Sequence, residues 1–216
     1  MPQQTFKIFA ASAALTFAGA LSASAALIDF TDTDSYTLTA DGASGTTAGV
    51  DWMITPSESG LNTNEAGPGP VGNLAGENDG LGIGGDEIST PDQFVTISFS
   101  RTVELTTAFF LDLFTSSNGG FNAEVVEVFE GDDTSGAPIA TLASTTPSSE
   151  GVGFGTLETS IFGTTFTFSP EASNDDIGRA DFALAGIEFT EIPLPAGVLL
   201  LAGALGGLSL MRRRRK

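Results

Sequence analysis

Between residues 94 and 99 apolar and polar side chains alternate: Val95, Ile97 and Phe99 fall on one side, Thr96 and Ser98 on the other. A period of two belongs to a strand with one buried face. Shorter runs of the same kind are predicted at residues 27–30, 36–40 and 50–55, the last closed by Pro56. The 94–99 pattern continues through 103–105 into 108–114, which is apolar on nearly both faces and reads as a central strand. Residues 121–130 and 138–143, joined by the Gly- and Asp-rich turn 131–136, form an expected hairpin.

Two late segments are less regular. Residues 162–168 place Phe162, Thr164, Phe166 and Phe168 on one face, and Pro170 ends the run. In 181–189, Phe182 and Leu184 are in step, but Ile187 and Phe189 are one residue out. An extra residue at Ala185-Gly186, a β-bulge, restores the register. The stretch 56–91 is rich in Gly, Pro, Asn and acids with no sustained apolar period, so it is expected to be either functional or disordered. No helical period occurs from Ala26 to Glu191. The expected fold of this segment is all-β, an antiparallel jelly-roll-like β-sandwich.

The ends follow different rules. Residues 1–25 combine a short polar start, an apolar Ala-rich run and the small residues Ala23-Ser24-Ala25, the pattern of a secretory signal peptide. Signal peptidase cleavage after Ala25 makes Ala26 the new N-terminus. At the other end, residues 196–211 carry no charge and amount to a helix of roughly 24 Å, a little short of a hydrocarbon core of about 30 Å. Leu194 and the arginine stems extend it enough to span. Arg212, Arg213, Arg214, Arg215 and Lys216 then act as a basic stop that holds the C-terminus on the cytoplasmic side of the membrane. Before the apolar run, Pro193 and Pro195 hold the pentapeptide extended, the form a protease cleft binds.

This tail, Ile192-Pro193-Leu194-Pro195-Ala196 followed by an apolar helix and an Arg cluster, resembles the VPLPA-type variant of the PEP-CTERM sorting signals, with Ile192 in place of the usual valine. The resemblance implies recognition by exosortase, a membrane-embedded transpeptidase-like enzyme. It also implies an exported protein that passes through the inner membrane to the cell envelope surface or outside, in association with extracellular polysaccharide and biofilm. Residues 79–88 and the closing Phe182-Ala183-Leu184 are similar to β-sandwich domains common among such proteins. There the closing strand often continues with two aspartates, where this chain has Ala185 and Gly186. The three expected segments are therefore 1–25, 26–191 and 192–216.

Composition narrows the chemistry. All 27 acidic residues lie in 26–191, against only Arg101 and Arg179 there. Like-charge repulsion disfavours nucleic acid and anionic lipid head groups as direct partners and favours cations. The chain has no His and no Cys, which excludes disulfides, zinc sites and His-based triads, and no Lys occurs in 26–191. A metal site must use oxygen ligands, and the one candidate is calcium at Glu77, Asp79, Asp86 and Glu87 among the glycines of 80–85. That grouping matches no established calcium-loop pattern, and four solvated acids on a loop read equally well. No catalytic residue and no other cofactor stand out.

The expected role is a non-catalytic structural or adhesive component of the cell surface or matrix. The alternatives are a carbohydrate-binding module and a carboxylate-based glycoside hydrolase, since such hydrolysis needs only two carboxylates. Trp52 and Tyr36 are the single members of their types. Trp52, among Val50, Met53 and Ile54, reads as core rather than as a sugar platform.

Overall fold

The computed structural model describes residues 24–63, 65–85, 87–89, 92–115, 123–147, 151–171 and 181–192. The expected signal peptide through Ala23, the expected motif residues 193–196, the apolar run, the basic tail 212–216 and Asp86 lie outside the described residues. In chain order the strands are β1 (Ala25–Asp29), β2 (Thr37–Thr39), β3 (Gly42–Thr47), β4 (Val50–Pro56), β5 (Leu61–Asn62), β6 (Gly82–Ile83), β7 (Ile88–Ser89), β8 (Val95–Leu111), β9 (Val125–Glu130), β10 (Ala140–Ala143), β11 (Gly155–Pro170) and β12 (Asp181–Glu191). The described residues hold no α-helix, only a single 3-10 turn at Thr33–Ser35, and the fold is all-β. Every ladder between these strands is antiparallel.

The organising element is β8. It joins the expected strands 94–99, 103–105 and most of 108–114 into one, and β11 flanks it along nearly its whole length. Its other side changes partner: β4 pairs with Val95 to Phe99, and β12 with Val103 to Leu111. Between these halves Ser100, Arg101 and Thr102 are exposed and form a corner. Beyond the corner the two halves face each other through their rings. Phe99 lies 5.1 Å from Phe189 and Phe110 lies 6.1 Å from Phe168, centroid to centroid. Val95, Ile97, Leu105, Phe110, Phe166, Phe168, Phe182 and Phe189 are fully buried in this core. The expected β9–β10 hairpin is present, with Ala140 opposite Val128.

Both irregular strands carry bulges. In β12 the partner of Phe110 is Leu184 and that of Phe109 is Gly186, so Ala185 is the extra residue, as the slipped parity required. In β11 a register break between Gly163 and Thr165 alters the expected face. Phe166 and Phe168 are buried, but Phe162 is 54% exposed. The sequence reading that put all three together is corrected by this break, which reverses the parity of everything after it. A Cβ on Gly163 would stand 3.0 Å from the Phe166 ring, so the missing side chain lets that ring fold inward.

The long stretch after β4 is ordered over its described residues. Strands β5 and β6 pair with each other, and β7 adds to the free edge of β12 beside Asp181 and Phe182. Leu61, Leu74, Leu81, Ile83 and Ile88 are buried. Leu74, with Phe154 stacked on Phe109 at 6.2 Å, covers the second face of the β8–β12 ladder. Strand β12 is therefore buried on both faces, which explains its nearly continuous apolar run.

Residues Ala23–Ile192 form one compact unit. Among the described residues no helix is long and apolar enough to cross a membrane.

Candidate functional site

The stretch after β4 is held by a buried polar hub rather than by periodic packing. Asp29 Oδ1 accepts hydrogen bonds from Thr31 N at 2.9 Å and Thr31 Oγ1 at 2.5 Å, and its Oδ2 accepts from Ala75 N at 2.7 Å. Thr31 Oγ1 accepts from Gly76 N at 2.8 Å, while Thr31 O accepts from Asn78 Nδ2 at 2.9 Å. Asn78 Oδ1 in turn accepts from Gly80 N at 2.8 Å. Buried polar groups satisfied in this manner fix one conformation, because any alternative leaves them unpaired. Next to the hub, the Tyr36 hydroxyl donates to Phe30 O at 2.8 Å. Burial, with Asp29 and Asp32 nearby, raises its pKa well above the usual tyrosine range.

Gly80 then approaches the bulge of β12 closely. Its φ is +113° and an added Cβ would lie 2.6 Å from Leu184 O, so only glycine fits there. Leu81 and Leu184 exchange backbone hydrogen bonds of 3.0 and 3.1 Å. Asp79, one residue before Gly80, is thereby placed in a cleft of about 160 Å³. Glu65, Asp79 and Asp112 line it together with the apolar Leu111, Phe114 and Val152. Asp112 adopts φ +55°, a left-handed conformation that Asp tolerates better than most residues. Its N–H is tied to Val152 O at 3.1 Å.

A second carboxyl group lies near the start of β9. Glu124 N donates to Phe114 O at 2.9 Å, and Phe114 N donates back to the Glu124 carboxylate. Burial pushes the Glu124 pKa up to about 9. The Phe114 N–H opposes this, while a hydrogen bond to Asp181 and the charges of Asp181 and Glu87 add to it. One proton shared between two carboxyls is the expected state, since both cannot ionise at such range. A hydrogen-bonded pair is closer than the roughly 5 Å that retaining glycosidases leave between their carboxyls.

Three of the four acids grouped by the sequence are described. Glu77 is exposed, Asp79 is 3% exposed within the cleft, Glu87 is half-buried beside Glu124, and Asp86 lies outside the described residues. Among the described residues no three acidic side chains converge as a metal ion requires. A specific calcium site using Asp79 is expected to show as a melting temperature that millimolar calcium raises in wild type but not in Asp79→Asn. An equal rise in both, in parallel thermal melts, would mean only screening of an acidic surface.

Sequence reasoning missed Glu124, Asp181, Glu65 and Asp112. The available signal was an acid abutting an apolar run, as in Glu124-Val125 and Asp181-Phe182. Trp52 is 4% exposed and packs edge-on to Phe30 at 5.7 Å, a core position as expected. Of the processing residues, Ala25 and Ala26 open β1 opposite Thr190 and Phe189, and Ile192 stands exposed just past β12. Comparison with known families, curated proteins and solved structures finds no match to this chain.

Proposed function

We propose that this chain is an exported, non-catalytic β-sandwich protein of jelly-roll type. In this reading an exosortase-like enzyme sorts it to the cell surface or matrix, where it serves a structural or adhesive role beside polysaccharide. The observation that carries this reading is the order of parts at the end of the chain. Strand β12 stops at Glu191, Ile192 is 42% exposed, and the Pro-containing motif, apolar run and five cations follow at once. A processing enzyme thus meets its motif directly outside the last strand. At the other end, removal of residues 1–25 leaves Ala26 to pair with Phe189, so β1 loses only its first, exposed residue.

Against the glycoside hydrolase alternative, the carboxyls of Glu124 and Asp181 hydrogen-bond each other, closer than the roughly 5 Å that retaining enzymes leave. The inward placement of Trp52 takes away the ring best suited to stacking on a sugar. The test is processing in cells. Pro193→Ala with Pro195→Ala is expected to give a larger, membrane-retained form, while wild type loses residues 212–216. Intact mass of the wild-type product should also begin at Ala26. Equal masses for wild type and variant, both keeping Arg212 to Lys216, would reduce the tail to a plain anchor.

A further inference from the structure

Strand β11 turns one phenylalanine outward. Ser160 and Phe162 are exposed, and the break after Gly163 returns Phe166 and Phe168 to the core. Bulges re-aim side chains in this manner. With Trp52 buried, Phe162 is the one exposed aromatic ring among the described residues. Its neighbours across the sheet are polar. Phe162 is the register partner of Glu104 in β8, and Glu104 is that of Thr190 in β12. Opposite residues in a ladder share a face, with Cβ atoms about 5 Å apart, so ring and carboxylate stand side by side. A second row, Glu158, Thr107 and Glu188, crosses the same three strands.

The carboxylates of this face are held in place by neutral donors. Glu104 Oε1 accepts from Ser160 Oγ at 2.6 Å, and its Oε2 accepts from Thr190 Oγ1 at 3.1 Å. Glu188 accepts from Thr107 Oγ1 at 3.2 Å and from Asn73 Nδ2 at 3.3 Å. Such bonds orient a carboxylate without cancelling its charge. Arg101 is the sole cationic side chain among the described residues, and it is engaged by Glu191 at 3.0 Å and by Gly49 O at 2.7 Å.

A face of this kind repels anions and draws cations. The exposed ring adds attraction for an ammonium group and offers an apolar surface to C–H groups. Strands β8 and β12 have both ladder neighbours here, so a partner meets side chains rather than free backbone groups. An extended peptide, which binds by adding a strand to a free edge, suits that arrangement less well than a polymer recognised through its hydroxyl and amino groups. We infer that this face binds a polysaccharide carrying free amino groups, with one sugar ring stacked on Phe162 and its ammonium group on Glu104. Glu158 and Glu188 receive the amines of neighbouring units. The inference rests on the reading of the chain as an exported protein beside polysaccharide, and it names the class of polysaccharide and the face that engages it.

Titration calorimetry of the full chain in mild detergent tests it with a glucosamine oligomer, its N-acetylated form, a galacturonate oligomer and oligolysine. The glucosamine oligomer is expected to bind, and more weakly as salt is added. Phe162→Ser and Glu104→Gln should each weaken it several-fold. Asp132→Asn, in the turn between β9 and β10, removes the same charge as Glu104→Gln and should leave binding unchanged. Phe162→Ser alters no charge, so its effect separates a site from diffuse attraction. Absence of binding, no loss in Phe162→Ser, or equal losses in Glu104→Gln and Asp132→Asn overturns the site. Equally tight binding of the N-acetylated or galacturonate oligomer overturns the amine requirement. Tighter binding of oligolysine, lost in Phe162→Ser, assigns the face to a basic polypeptide instead. None of these outcomes alters the masses of the processed chain, which test export and sorting separately.

Discussion

Ile97→Asp is expected to leave little of the domain folded. Ile97 is fully buried in the first half of β8, where its ladder partners are Ile54 and Phe166. An aspartate there places an unpaired carboxylate among apolar side chains, and the loss is expected to reach about 4 kcal/mol or more. Domains of this size are stable by roughly 5–15 kcal/mol, so the unfolded fraction should rise sharply. Urea denaturation of the 26–191 segment measures it. Thr102→Asp, at the exposed corner of the same strand, should stay within about 0.5 kcal/mol of wild type. Equal midpoints for Ile97→Asp and wild type would contradict the buried position of this strand.

Stability is expected to fall as pH rises from about 6 to 9, with Glu124 as the cause. A carboxyl whose pKa is raised in the fold contributes stability that is fully present below its ordinary value near 4.5. That contribution is lost as pH climbs through about 9. The window is unusually clear here. The chain has no His and no Cys, and ordinary carboxylates have finished titrating by about pH 6. Glu127, raised by burial and by Glu171, adds the same trend toward the acid side. Glu124→Gln keeps an oxygen for the Phe114 N–H and an amide donor for Asp181, yet cannot ionise. Its melting temperature should be nearly flat from pH 6 to 9 and should exceed wild type at pH 9. A wild-type profile as flat as that of the variant would mean that Glu124 is ionised throughout.

The parts of the fold that were legible in the sequence are those where local alternation survives into the structure. Val95, Ile97 and Phe99 kept their face, the β9–β10 hairpin formed across its Gly-rich turn, and the parity slip in 181–189 located a real bulge at Ala185. Phe162 was misplaced because a second bulge, between Gly163 and Thr165, falls within a run of regular-looking alternation. The order of the stretch after β4 was hidden for a different reason. Its buried residues have no period, and its conformation is fixed by Thr31 acting on Gly76, 45 residues away. The acids were grouped by nearness in sequence, as Glu77, Asp79, Asp86 and Glu87. Asp79 has Glu65 and Asp112 beside it in the cleft, and Glu87 lies near Glu124 and Asp181, neighbours that nearness in sequence does not reveal.

Strand β1 has one ladder partner among the described residues, and that partner is the last strand, β12. The first strand out of the ribosome therefore has no ladder to join until residues 181–191 have been made. Strand β12 is also the neighbour that the second half of β8 awaits. Pairings between distant parts of a chain are slow to form, because the intervening loop must be closed before any contact rewards it. The β1–β12 ladder and the β8–β12 ladder close only once residues 181–191 have been made.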